Sequence, residues 1–459
     1  MSDRAKNGPK PGASKRASPK RGGPKPPRKP PRRPNARAVA TEVLFRVQTD
    51  GAWAAPTLDA AIGRARLDAR DAALATAIVY GALRVLPSLD AALDTHLKRP
   101  GDLDDWTRAA LRVAAFQIRH LPRVPPRAAV HEAVDIVRAK RGRLAGLTNA
   151  VLRKLRRPED AAPPTRLEVP TWVAAKLEAS LGAERAETYL ASRPLPPPID
   201  LRVEGDRATW AETLRAAAPD AQVEEGVAPR ALHVRQAGDP RALPGWEEGA
   251  FTVQEQGSQL LGALLGATAG ERVLDACAGR GGKTTQLARA VGDGGEVVAA
   301  DLHEARLEQI EAACARLGLG AELELVPLDW TVGDGGLAPS FDRALVDAPC
   351  SGLGTVHRRP EILLRVTPAD VEALARTQAT ILARVAPLVR PGGTLVYAVC
   401  SPLEEEGAAI ADAFEAAHPG FTRAPIDEAP LRSDADGVLR LGPWLDGCDA
   451  YQAVRWTRG

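Results

Sequence analysis

The sequence predicts a multidomain protein in which an all-helical domain, a small α+β module and an open α/β core follow one another. Three observations predict it. Apolar residues between Ala36 and Arg157 recur at helical spacing, Pro158, Pro163 and Pro164 then break the chain, and beyond residue 250 short apolar runs end in loops carrying an acid or a cysteine. A length of 459 residues agrees with about three domains. The expected divisions are a basic tail at 1–34, helices at 35–158, a linker with the small module at 159–250, and the α/β core at 251–459.

Charge is distributed unevenly. The first 34 residues hold twelve Lys or Arg and one acid, Asp3, a net +11 that leaves −8 on the rest of a chain whose total is +3. A segment this rich in Lys, Arg, Pro and Gly cannot bury enough surface to order itself, and it lacks the apolar stretch of a secretory signal. It reads as a polycationic arm for nucleic acid. Apolar residues make up 44% of the chain, enough for ordinary cores, and no apolar run approaches the ~18 residues of a membrane span. The five cysteines, 277, 314, 350, 400 and 448, contain no CxxC pair and no metal-ligand cluster. That pattern suits a reducing, cytoplasmic compartment, with no membrane and no metal expected.

In the helical part, Leu74, Ile78, Gly81 and Val85 follow Asp71, a candidate N-cap; Val113, Phe116 and Gln117 mark a second helix and Val130, Val134 and Val137 a third. The last helix, expected over 147–155, runs into Lys154, Arg156 and Arg157. VYGALR at 79–84, AAFQIRHLPRVPPRAAVHEAV at 114–134 and LTNAVLRKL at 147–155 resemble the NusB-type RNA-binding domain. A helix over 172–189 comes next. RPLPPPIDLRV at 193–203 leads into a strand, followed by a helix over 210–217 and a strand over 231–234.

The core opens with a strand over 272–276 that runs into CAGRGGKTT at 277–285 and then a helix. Gly279, Gly281 and Gly282 let the backbone approach a ligand, and the helix start offers free N–H groups. A P-loop would need glycine at 277, where this chain has Cys277, so a nucleotide triphosphatase is rejected. A strand over 296–300 ends at Asp301, 19 residues after Gly282, near the spacing of an acid that binds ribose hydroxyls. A third strand, 322–326, is followed by Asp329. This is a Rossmann-like turn for an adenosine compound. Two further strands, over 341–346 and 395–399, lead to thiols in DAPCSGLG at 347–354 and VYAVCS at 396–401, where a nicotinamide enzyme would need a hydride-transfer constellation instead.

Paired strand-end thiols suit addition to a pyrimidine. Carbon 5 of cytosine cannot attack a sulfonium methyl until a thiolate adds at carbon 6, and a thiol of pKa ~8.5 needs a cationic setting to ionise. His357, Arg358 and Arg359 are the candidates for that charge.

Residues 251–456 resemble the Nop/Sun family of RNA cytosine-5 methyltransferases, and the chain from 36 onward is similar in domain order to the bacterial branch acting on small-subunit (16S) rRNA. The resemblance implies that Cys400 is the nucleophile and that Cys350 helps release product. It implies an S-adenosylmethionine site lined by Cys277, Ala278, Gly279, Arg280, Gly281, Gly282, Lys283, Asp301, Asp329 and Asp347, with Asp347 shared with the base. Arg306 fits the family's arginine after the ribose acid, and the small module would be RRM-like. Departures from the family pattern are Gly279-Arg280 for Ala-Pro, Leu363-Leu364 for a lysine-tryptophan pair, Val399 for threonine, and Cys448-Asp449-Ala450-Tyr451 at the usual DGFF-like ending. The expected partner is small-subunit rRNA; tRNA modification, or a catalytically silent RNA-binding assembly factor, stays open.

Overall fold

A computed structural model describes residues 35–159, 161–191, 198–445 and 447–459. The basic tail and the proline run at 193–197 lie outside them. Among the described residues, seven α-helices build the N-terminal part: Ala36–Thr49, Ala54–Ala65, Ala69–Arg84, Leu86–Asp94, Asp105–His120, Pro126–Arg141 and Ala145–Leu152. The N-cap of the third is Asp68, whose carboxylate accepts from the Asp71 N–H. Asp71 therefore sits inside the first turn, where its charge still complements the helix dipole. The last helix ends at Leu152, short of the expected 155. Gly81 makes the tightest contact: a methyl there would meet Phe116 at 2.0 Å, so the two helices close only over a bare backbone.

The small sheet is antiparallel in the order Gln222–Glu225, Ala231–Arg235, Ile199–Val203, Phe251–Val253, with helix Arg207–Ala217 against it. Its fourth strand occupies the residues where the α/β core is expected to begin. Leu201 pairs with Val253 and Val203 with Phe251, which assigns 251–253 to the small sheet. From this sheet the buried Arg202 reaches the glycine turn, donating to the Gly282 carbonyl (2.9 Å) and the Thr285 hydroxyl (3.0 Å).

The core sheet runs Phe421–Arg423, Tyr451–Arg458, Val389–Val399, Phe341–Asp347, Arg272–Asp275, Glu296–Asp301, Glu322–Pro327, and Leu439–Leu441 pairs with Tyr451–Arg458. The five strands from Val389–Val399 to Glu322–Pro327 are parallel. Arg272–Asp275, first of the five in sequence, lies between the second and the fourth, and the crevice where such a sheet binds ligands opens beyond the carboxyl ends at this switch in order. The Cys400 strand is longer than expected: it starts at Val389, takes in the Pro391-Gly392-Gly393 turn and shifts register between Phe341 and Arg343.

Helix Thr171–Leu190 packs against the core's loops, with Leu177 and Tyr189 clustered with Leu353, Val356, Leu403 and Ala450. Helix Pro368–Val385 starts from a reciprocal capping box between Thr367 and Asp370, which satisfies two otherwise unpaired donors, and lays Gln378 beneath the cysteine loops. Among the described residues no single helix is long and apolar enough to cross a membrane.

Candidate active site

Neighbouring parallel strands end together because Asp347 is in register with Ala398. The Ala348 N–H donates to the Ala398 carbonyl (2.9 Å) and the Gly354 N–H to the Cys400 carbonyl (2.9 Å), while the Gly354 carbonyl accepts from the Ala450 N–H (2.9 Å). A methyl on Gly354 would meet the Ala450 oxygen at 1.9 Å and the Cys400 oxygen at 2.7 Å, so glycine is required by close approach. These bonds bring the Cys350 and Cys400 sulfurs to 3.0 Å, both half-buried. The Cys350 thiol is pushed well up by its hydrogen bond to Cys400, then by burial and by the nearby charges of Cys400 and Glu406.

Beside them, the buried Lys283 ammonium donates to the Asp347 carboxylate at 2.6 Å. Burial opposes its charge, but Asp347, then Asp275 and Cys400, more than offset this and hold it protonated. This lysine is close enough to Cys400 for their charges to interact. The three residues expected to supply charge are used elsewhere. Arg358 bridges Asp200 (2.9 Å) and Asp449 (3.1 Å), the His357 ring bonds to the Tyr189 carbonyl, and Arg359 lies over Trp53. A 3-10 turn at Leu353–Thr355 precedes this stretch and another at Pro360–Leu364 follows it.

In the glycine turn, Gly279 and Gly281 have φ of +56° and +83°, and helix Gly282–Val291 begins there. Asp301 accepts from the Gly279 N–H (3.0 Å) and the His303 N–H (2.9 Å), with Arg306 at 3.4 Å. Thus the turn, Asp301, Lys283 and Asp347 are brought together. Asp329 bonds only within its own turn, to the Thr331 N–H and hydroxyl. Arg280 is exposed; Leu364 is exposed and Leu363 packs under the Cys350 loop. Burial and then Asp275, Asp347 and Asp301 push the Cys277 thiol well up.

Sequence reasoning missed two buried acids. Asp275 accepts from the Thr284 hydroxyl (2.7 Å) and is pushed up to about 6 by burial. It closes a strand just before the glycine turn, a position of the kind that singled out Asp301. Glu406, wholly buried, accepts from the Ser351 N–H (2.7 Å) and hydroxyl (2.5 Å). Nothing in the run Glu404-Glu405-Glu406 marks the third as the buried one.

Two family models match the chain: 16S rRNA methyltransferase RsmB/F over residues 263–451 and the NusB family over 34–157. The Bacillus subtilis protein named Probable ribosomal RNA small subunit methyltransferase B is 32% identical, the match covering 90% of this chain and 97% of that one. The chain belongs to the RsmB/F family. The ribosomal RNA small subunit methyltransferase B of Citrobacter koseri is 34% identical across 73% of this chain and 80% of its own. In fold, the crystal structure of PH0851 superposes with a TM-score of 0.78 at 22% identity, covering 92% of this chain and 98% of that one. NSun6 from Pyrococcus horikoshii, crystallised with SFG, gives 0.53 at 19% over 63% and 98%.

The RsmB/F family consists of S-adenosylmethionine-dependent methyltransferases, and the residues here fit that cofactor. A side chain grown from Gly279 would meet no protein atom nearer than the Cys277 carbonyl at 4.0 Å, so the space over the turn is open. Asp301 stands beside that space, largely buried.

Proposed function

We propose that this RsmB/F methyltransferase forms 5-methylcytidine in small-subunit rRNA through a covalent bond between Cys400 and carbon 6 of the target cytosine. The observation that carries the reading is the pair of sulfurs 3.0 Å apart at adjacent strand ends, beside the Lys283–Asp347 ion pair. Bound S-adenosylmethionine supplies an electrophilic methyl on its sulfonium. The turn from Cys277 to Lys283 with Asp301, Asp329 and Asp347 would hold the cofactor, Asp347 being shared with the base.

The Cys350 thiol is pushed up and keeps its proton, so the attack on carbon 6 is assigned to the Cys400 thiolate. The Lys283 ammonium offsets that thiolate and the electron density that moves into the ring when sulfur bonds to carbon 6. After carbon 5 is methylated, a base takes its proton, the carbon 5–carbon 6 double bond re-forms and the carbon–sulfur bond breaks toward sulfur. The departing thiolate is then received by the Cys350 S–H, so Cys350 assists release.

Purified protein with labelled S-adenosylmethionine is expected to label cytosine in unmodified small-subunit rRNA. No transfer to any RNA would favour a silent assembly factor, and transfer to tRNA alone would change the substrate. Cys400→Ser is expected to lose covalent RNA capture and Cys350→Ala to accumulate trapped adduct; the reverse pattern exchanges the two roles.

A further inference from the structure

Glu406 lies outside the residues assigned to either cofactor or base, yet it joins both cysteine loops. Its carboxylate accepts from the Ser351 N–H (2.7 Å) and hydroxyl (2.5 Å), next to Cys350. The Gln378 amide donates both to it (3.2 Å) and to the Pro349 carbonyl (3.0 Å), on the other side of Cys350. The Ser351 hydroxyl also meets the Ser401 hydroxyl, beside Cys400, at 3.4 Å. The Glu406 backbone carbonyl accepts the Tyr397 hydroxyl (2.5 Å), from the strand that delivers Cys400. Glu406, Gln378 and Ser401 are wholly buried and Ser351 nearly so.

We propose that Glu406 is a positioning residue: it fixes Cys350 against Cys400 and, as a buried negative charge on the Cys350 side, keeps the proton on Cys350. Structural fixing alone would be served by any acceptor of this shape. A carboxylate adds charge, because its negative field disfavours a thiolate at Cys350. The charge is among the causes that push the Cys350 thiol up. The part concerning product release rests on the covalent reading above; the part concerning the two thiols does not.

The test uses the full-length protein with Glu406→Gln, which keeps the shape and removes the charge. Without RNA, iodoacetamide labelling of each cysteine is followed by peptide mass spectrometry across pH. In the wild type Cys350 is expected to react only at high pH; in the variant its labelling curve moves to lower pH by about one unit, a tenfold faster reaction at neutral pH. With rRNA, the pH profile of adduct breakdown is expected to move the same way, while methyl transfer keeps its profile. A folded variant with an unchanged Cys350 labelling curve overturns the proposal. So does an equal loss in both steps with no pH shift, which is the mark of a structural role alone. If Glu406→Gln does not fold, Ser351→Ala removes the hydroxyl donor and is judged by the same Cys350 labelling curve. Cys350→Ala serves as the control: absence of trapped adduct there counts against the covalent reading, while the labelling experiment still decides the role of Glu406.

Discussion

Lys283, not the basic cluster at 357–359, is the cation whose charge interacts with Cys400. Its ammonium is buried, bonded to Asp347 and close enough to Cys400 for their charges to interact. Lys283→Met is therefore expected to slow Cys400 alkylation at neutral pH by about tenfold, the effect of one unit in thiol pKa, as read by peptide mass spectrometry. Asp275 supplies a second prediction. Its folded value of about 6 lies above the ordinary 3.8, so its contribution to stability is fully present below about pH 4 and is lost as pH rises through 6. Asp275→Asn is expected to remove this component, up to about 3 kcal/mol, from the difference between denaturation free energies at pH 4 and pH 7. What the sequence showed at this scale were residues at strand ends: Asp347, Cys350, Cys400 and Asp301 could be placed by counting from apolar runs. The partners could not, because Lys283 meets Asp347 across 64 positions and Ser351 meets Glu406 across 55. Likewise His357 to Arg359 follow Cys350 closely in sequence, but their side chains are taken up by the Tyr189 carbonyl, Asp200, Asp449 and Trp53.

At the level of elements, the loop from Asp347 to Leu364 depends on backbone contact that only glycine allows. Gly354→Ala is expected to push the Cys350 loop off the end of the Cys400 strand. Guanidinium denaturation would show a loss of about 1–3 kcal/mol, the usual cost of overpacking, and covalent RNA capture would fall with it. Element types were legible from periodicity, and most limits held within a few residues. The exceptions are instructive. Asp68 and Asp71 both precede apolar spacing that suits a cap, and only the backbone angles at Asp68 distinguish them. Phe251–Val253 has the composition of either sheet, and its partner, Ile199–Val203, lies some fifty residues upstream.

At the level of the whole molecule, Arg358 ties three parts together, holding Asp200 of the small sheet, Asp449 near the C-terminus and the Pro198 carbonyl. Its charge is held firmly in place: burial opposes it, and Asp449 and Asp200 raise it on balance. Arg358→Ala takes the guanidinium from two buried carboxylates, Asp200 keeping its contact with the His233 ring (2.8 Å), and a loss of about 3–5 kcal/mol is expected in denaturation. The basic tail acts differently. If half of its twelve cations meet phosphates, deleting residues 1–34 should flatten the salt dependence of RNA binding by about 4 in the log–log slope and leave the modified cytosine unchanged.

The N-terminal helices also hold the far side of the Cys350 loop. The Ala54 N–H donates to the buried Glu361 carboxylate across 307 positions, Arg84 donates to the His357 carbonyl, and Arg365 donates to the Ala52 carbonyl and lies over Trp53. Order of synthesis gives this contact a direction. The helices leave the ribosome first, so the surface that receives the loop is standing before the loop is made. A circular permutant that places the helices last would release Glu361 with no docking site, and its active site should mature only after the final helix has been translated.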